Sequence, residues 1–193
     1  MLQRFSVSDL PLTPWKNGGG VTREIVCRPQ AAGMDSFDWR ISMATITRSG
    51  PFSVFAGIDR SIMLLAGGGV HLRHSSGIDH RLDTPARPFA FAGDVALDCT
   101  LLGSESTDFN VMTRRDVVTA RVQVHAEDAT LTPAASGLLM ALRGGWRLAD
   151  GTTAIDIGEG QGVWWDGSPR AWQLLPQTAD TALVSVAVTP RRS

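Results

Sequence analysis

Met63-Leu64-Leu65-Ala66-Gly67-Gly68-Gly69-Val70-His71-Leu72 has an echo further along the chain, Leu139-Met140-Ala141-Leu142-Arg143-Gly144-Gly145-Trp146-Arg147-Leu148. Each is an apolar run, a glycine break and a resumed run, the pattern of two strands joined by a tight turn. Thr113-Arg114-Arg115 is matched at the same offset by Thr189-Pro190-Arg191-Arg192. Phe89-Ala90-Phe91 corresponds more loosely to Val163-Trp164-Trp165, so the middle of the repeat needs gaps. Around these segments lie many short apolar runs, punctuated by Gly and Pro, as in an all-β sandwich or barrel. Thr132 to Met140 has room for one turn of helix at most. The reading is a duplicated barrel: a unit over residues 1–115 and a second over 116–193, packed as one compact domain.

The two copies differ in polarity. Asp108 and Asn110 in the first fall, at the same offset, on Val184 and Val186 in the second, and Arg60 falls on Ser136. A buried carboxylate or amide costs stability unless it is paired. Polar residues present in one copy only exceed what the fold requires, and they place a ligand site in the first unit. The second unit is then structural.

Ahead of the repeat stands Trp15-Lys16-Asn17-Gly18-Gly19-Gly20, running into Val21-Thr22-Arg23-Glu24-Ile25. A glycine turn can offer backbone N–H groups to a neighbour. The stretch is either the lip of a pocket or a turn feeding an edge strand with solvated charges. Thr22, Glu24 and Val26 alternate with Val21, Arg23 and Ile25, so Arg23 and Glu24 cannot both enter one pocket from a regular strand. Phe37 to Thr47 is the clearest strand. Its Arg40, Ser42, Ala44 and Ile46 share one face, which suits a ligand wall or a solvated outer surface. Gly57 to Arg60 reads as a turn. Trp15 and Trp39 are candidates to line a pocket.

Bulk properties exclude several classes. A net charge of −1, from 18 Lys and Arg against 19 Asp and Glu, gives no basic excess for nucleic acid or an anionic membrane. No run reaches membrane-spanning length, and no basic segment precedes an apolar one at the N-terminus, so a cytoplasmic protein is expected. Cys27 and Cys99 suit free thiols in a reducing compartment. The histidines are His71, His74, His80 and His125. His71 and His74 stand three apart on a strand, where a metal pair wants alternate residues. No GxSxG elbow or dinucleotide fingerprint is present, and the GxxxxGK[ST] spacing is missing around the glycines.

Taken together, Trp15 to Gly20 with Thr22-Arg23-Glu24, Trp39-Arg40-Ile41-Ser42-Met43-Ala44, Gly50-Pro51-Phe52-Ser53, Gly57-Ile58-Asp59-Arg60 and Asp108-Phe109-Asn110-Val111-Met112 resemble the HutD/Ves family over nearly the whole chain. The resemblance implies a bicupin, two β-barrel or jelly-roll cupin units in one chain. Cupins often carry metal on an HxH motif. The matching Gly69-Val70-His71-Leu72-Arg73-His74 lacks it, so no metal and no cofactor are expected. The resemblance further implies a protein that binds formiminoglutamate, or a similar small acidic metabolite, and modulates histidine utilisation. The site residues it implies are Asn17, Gly18, Gly19, Thr22, Glu24, Arg40, Ser42, Arg60, Asp108 and Asn110. Arg40 and Arg60 would clamp carboxylates through the guanidinium fork. Glu24 or Asp108 would receive the formimino end, and the two asparagines would supply amides. A metal-independent enzyme acting on a small acid or amide, and an interaction protein with a vestigial pocket, stay open as alternatives. Convergence of Asp108, Asn110, Arg40 and Glu24 on one cavity would favour a ligand site.

Overall fold

The computed structural model describes residues 1–75 and 77–191. Ser76, Arg192 and Ser193 lie outside them. The chain divides into two units. One runs from Pro11 to Val118; the other joins Met1–Leu10 to the chain from Thr119 on.

In the first unit a six-stranded sheet has the spatial order Leu12–Pro14, Gly20–Arg28, Trp39–Ile46, Ser106–Arg114, Ile58–Gly67, Phe89–Ala92. A four-stranded sheet has the order Gly50–Pro51, Asp98–Leu101, Val70–His74, Ile78–Leu82. Both sheets contribute to one core of Ile46, Ile62, Leu64, Val70, Leu72, Leu82, Leu97 and Cys99. Arg60 lies within the strand Ile58–Gly67 rather than in a turn.

The second unit repeats the plan. Its five-stranded sheet runs Leu2–Ser6, Gln161–Trp165, Ser136–Arg143, Ala182–Pro190, Val118–His125. Its four-stranded sheet runs Ala129–Thr130, Gln173–Pro176, Trp146–Ala149, Ala154–Ile157. Trp146, Leu148, Trp165, Trp172, Leu174 and Leu183 dominate its core. The strand Ser136–Arg143 occupies most of the segment with room for a helical turn. The opening strand Leu2–Ser6 pairs antiparallel with Gln161–Trp165. The first ten residues thus belong with the second unit, not with a 1–115 unit.

The echoing segments are equivalent corners, in which the glycine break carries the chain from one sheet of its unit to the other. At the first, Gly69 has φ +81° and a Cβ there would sit 2.2 Å from the Leu82 carbonyl oxygen, so only glycine fits. Each copy carries a bulge at the matching place. The Ile58–Gly67 register shifts opposite Thr107/Asp108, and the Ser136–Arg143 register shifts between Ala141 and Arg143. A one-residue slip carries every side chain to the opposite face. In the second unit Leu139, Ala141 and Leu183 join the core, and they pair as Leu139↔Ser185 and Ala141↔Leu183. The inward neighbours along Ala182–Pro190 are therefore Leu183, Ser185 and Ala187. Val184 and Val186, matched to Asp108 and Asn110 by offset, are buried on the opposite face.

Candidate functional site

The first unit encloses a cavity of about 710 Å³. Four strands build its wall by simple alternation. Trp39–Ile46 supplies Arg40, Ser42, Ala44 and Ile46, and Ser106–Arg114 supplies Asp108, Asn110 and Met112. Ile58–Gly67 adds Arg60 and Ile62, and Gly20–Arg28 adds Thr22 and Glu24. Strand register lines these up in rows. Thr22, Ala44 and Asp108 form one, and Glu24, Ser42, Asn110 and Ile62 the next. Arg40, Met112 and Arg60 form the third.

Glu24 is on the cavity side, and Arg23 pairs with Met43 on the other face. A bulge between Glu24 and Val26 then reverses the alternation. Val26 follows Ile41 into the interior instead of sharing the face of Thr22 and Glu24, and Cys27 falls opposite Arg40.

Two guanidiniums dominate the electrostatics. Arg40 donates from Nε to Glu24 Oε2 at 2.7 Å and from Nη1 to Ser42 Oγ at 3.2 Å. Its side chain is 10% exposed, whereas that of Glu24, at the mouth, is 47% exposed. Arg60 is buried and donates from Nη2 to Asn110 Oδ1 at 3.2 Å, while its Nε has no hydrogen-bond partner. Its guanidinium lies 5.2 to 5.5 Å from the ring centroids of Phe52, Phe55 and Phe91, a cation–π setting. Burial and the nearby positive Arg40 pull the Arg60 pKa down to about 10, against the opposing pull of Asp108. Asp108 accepts from Ser106 Oγ at 2.8 Å. Burial pushes its carboxyl up to about 6, opposed by that hydrogen bond and by Arg60. An anion entering between the two cations would relieve their mutual repulsion.

The glycine turn does different work. Gly18 N–H donates to the Trp15 carbonyl at 3.0 Å and Gly19 N–H to Asn17 Oδ1 at 2.9 Å. Both donors are used within the turn, and neither glycine reaches the cavity wall, so the expected backbone contacts from Gly18 and Gly19 are not made. The turn instead presents Trp15, whose Nε1 donates to Thr22 Oγ1 at 2.8 Å, and Asn17 at the cavity. Eight of the ten expected residues thus line one cavity: Asn17, Thr22, Glu24, Arg40, Ser42, Arg60, Asp108 and Asn110. Trp39 lies in the core. The phenylalanines around Arg60 escaped the sequence because they come from separate segments without a common pattern. Among the described residues no three His, Cys, Asp or Glu side chains converge, and the cavity wall has two carboxylates and no histidine. The donor set does not fit a metal-binding cupin centre.

The HutD family model matches residues 7–184. Protein Ves of Citrobacter koseri is 38% identical over 177 residues, covering 91% of this chain and 90% of that protein. Protein Ves of Cronobacter sakazakii is 37% identical over 175 residues, covering 90% and 92%. Among solved structures, a conserved protein of unknown function from Pseudomonas aeruginosa PAO1 superposes with a TM-score of 0.89 at 30% identity, covering 98% of this chain and 99% of that one. HutD from Pseudomonas fluorescens SBW25 gives 0.86 at 27% identity, with all of both chains covered. An oxalate decarboxylase from Lactobacillus farciminis gives 0.65 at 10% identity over 98% of this chain and 87% of that one, a likeness of fold alone. The architecture is that of a bicupin.

Proposed function

The chain belongs to the HutD/Ves family, and on that premise we propose that it is a small-molecule binding protein whose ligand is formiminoglutamate or a similar small acidic metabolite. Binding would modulate histidine utilisation. The observation that carries this reading is the pair of buried guanidiniums, Arg40 and Arg60, in one row of a cavity wall. Arg60 is held by aromatic rings and an amide rather than by an ion pair, which leaves its charge for a guest. A ligand carboxylate would meet Arg60, and a second would displace Glu24 from Arg40. Glu24 and Asp108 would then face the formimino end. We place the protein in the cytoplasm, where its two free thiols suit a reducing environment.

Calorimetry with formiminoglutamate tests the reading, with glutamate, urocanate and histidine as controls and the ligand followed for turnover. Selective binding without turnover supports it. Absence of binding by all four detaches the chain from histidine catabolism. One observation favours a second reading, a metal-independent enzyme acting on a small acid or amide. Asp108 is a buried carboxyl with a pKa near neutrality on the cavity wall, a usual property of a general acid or base. Turnover by the metal-free protein, lost in Asp108→Asn, would decide for it.

A further inference from the structure

The second barrel opens a cavity of its own, of about 220 Å³. Its floor is the barrel core, presented by Ala134, Trp165 and Trp172. Its polar side is built as in the first barrel. There Trp39–Ile46 lies next to the buried strand Ser106–Arg114 and supplies Arg40 and Ser42 at alternate positions. Here Val118–His125 lies next to Ala182–Pro190 and supplies Arg121, Gln123 and His125 in the same way. From Ala182–Pro190 comes Ser185, whose Oγ is 2.8 Å from His125 Nε2. No Asp or Glu lines this wall, which has two arginines. Arg170 is balanced by the buried Asp150, to which its Nη1 donates. Arg121 is exposed, and among the described residues no carboxylate pairs with it.

One end of the cavity is thus cationic and hydrogen-bonding, and the other is an indole-lined apolar floor. A bare inorganic anion would leave the floor unused, and a neutral apolar guest would leave Arg121 and the His125–Ser185 pair without a partner. We propose that the second barrel holds a second ligand site, for a small monocarboxylic acid whose carboxylate meets Arg121 and the His125–Ser185 pair and whose carbon chain covers Trp165 and Trp172. The volume is below the roughly 300–1,000 Å³ of pockets for drug-sized ligands, which limits the guest to a short chain. The unit that the sequence marks as structural becomes a binding unit with an electrostatic character of its own. Its wall has cations and no acid, where the first has both.

His125 is a local reporter. Burial and the positive Arg121 on its own strand hold its pKa below the usual value, and the other charges at this cavity are the Arg170–Asp150 pair. A carboxylate seated between Arg121 and His125 raises it. The test is an NMR titration of the His125 ring in the full chain with sodium butyrate, using butyramide and inorganic phosphate as controls and His125→Gln to assign the signal. The expected result is a saturable shift with butyrate, an upward move of the His125 midpoint, and at least tenfold weaker binding in Arg121→Gln. An equal response to butyramide, tighter binding of phosphate, or unchanged butyrate affinity in Arg121→Gln overturns the proposal. Reporter and variant both lie in the second barrel, so failure here leaves the Arg40 and Arg60 reading intact.

Discussion

Arg40 and Asp108 carry the sharpest consequences at the scale of single residues. A hydrogen bond to a charged group contributes about 1.5–3 kcal/mol, so Arg40→Ala should weaken an acidic ligand by at least tenfold in calorimetry while the far-ultraviolet spectrum stays unchanged. Unchanged affinity in the folded variant would remove Arg40 from the site. Asp108 ordinarily ionises near 3.8 and does so near 6 in the folded chain. A carboxyl whose pKa rises on folding stabilises the fold fully below the lower value, and that contribution is lost as pH rises through the upper one. The wild type should therefore lose stability between about pH 4 and pH 6 relative to Asp108→Asn, which keeps an acceptor for Ser106. At pH 7 the variant should be the more stable by about 3 kcal/mol in urea denaturation, with no advantage below pH 4. An equal difference at both pH values would show that Asp108 is not the group that titrates.

At the scale of elements, the glycine turn shows what a sequence hides. Three consecutive glycines announced a special backbone, but not whether its N–H groups would serve a ligand or the turn. Close approach settles this at Gly20, where a Cβ would sit 2.4 Å from the Thr45 carbonyl oxygen and 3.2 Å from the Trp15 ring. Gly20→Ala should cost about 1–3 kcal/mol in denaturant unfolding and also weaken ligand binding by displacing Trp15. Gly18→Ala meets nothing within 4 Å and pays only for its φ of +67°, so it should cost no more than about 1–2 kcal/mol. Equal costs would mean that the packing on Gly20 is looser than it looks. The alternation of Arg40, Ser42, Ala44 and Ile46 was fully legible, since period two is a property of any regular strand. The bulges were not. Nothing in Glu24-Ile25-Val26 or Leu64-Leu65-Ala66 marks an extra residue, because which partner it opposes depends on pairing across the sheet. The offset likewise set Asp108 against Val184, whereas Leu183, Ser185 and Ala187 are the inward residues, because register across a sheet is not written in spacing along the chain. That is also why the second cavity was invisible.

For the whole molecule, duplication was legible from glycine breaks that recur in one register, and polarity separated the copies. Cys99 makes the first barrel's integrity measurable. It lies in the core, and burial, with Asp108 nearby, pushes its thiol up to about 12. Native protein should leave Cys99 unmodified by a thiol reagent at pH 8, and its labelling in urea should follow unfolding of that barrel. Prompt native labelling of Cys99 would show that the barrel opens locally. The assignment of the opening strand was not legible, because its partner lies at the far end of the chain. Leu2–Ser6 pairs with Gln161–Trp165, so this strand leaves the ribosome some 155 residues before its neighbour. At translation speeds of about 5–20 residues per second it waits on the order of ten seconds, while every strand of Pro11–Val118 already has its partners. Synthesis thus completes the Pro11–Val118 barrel before the other one can close. A tag, a truncation or a slow codon near the start should trouble the barrel made last.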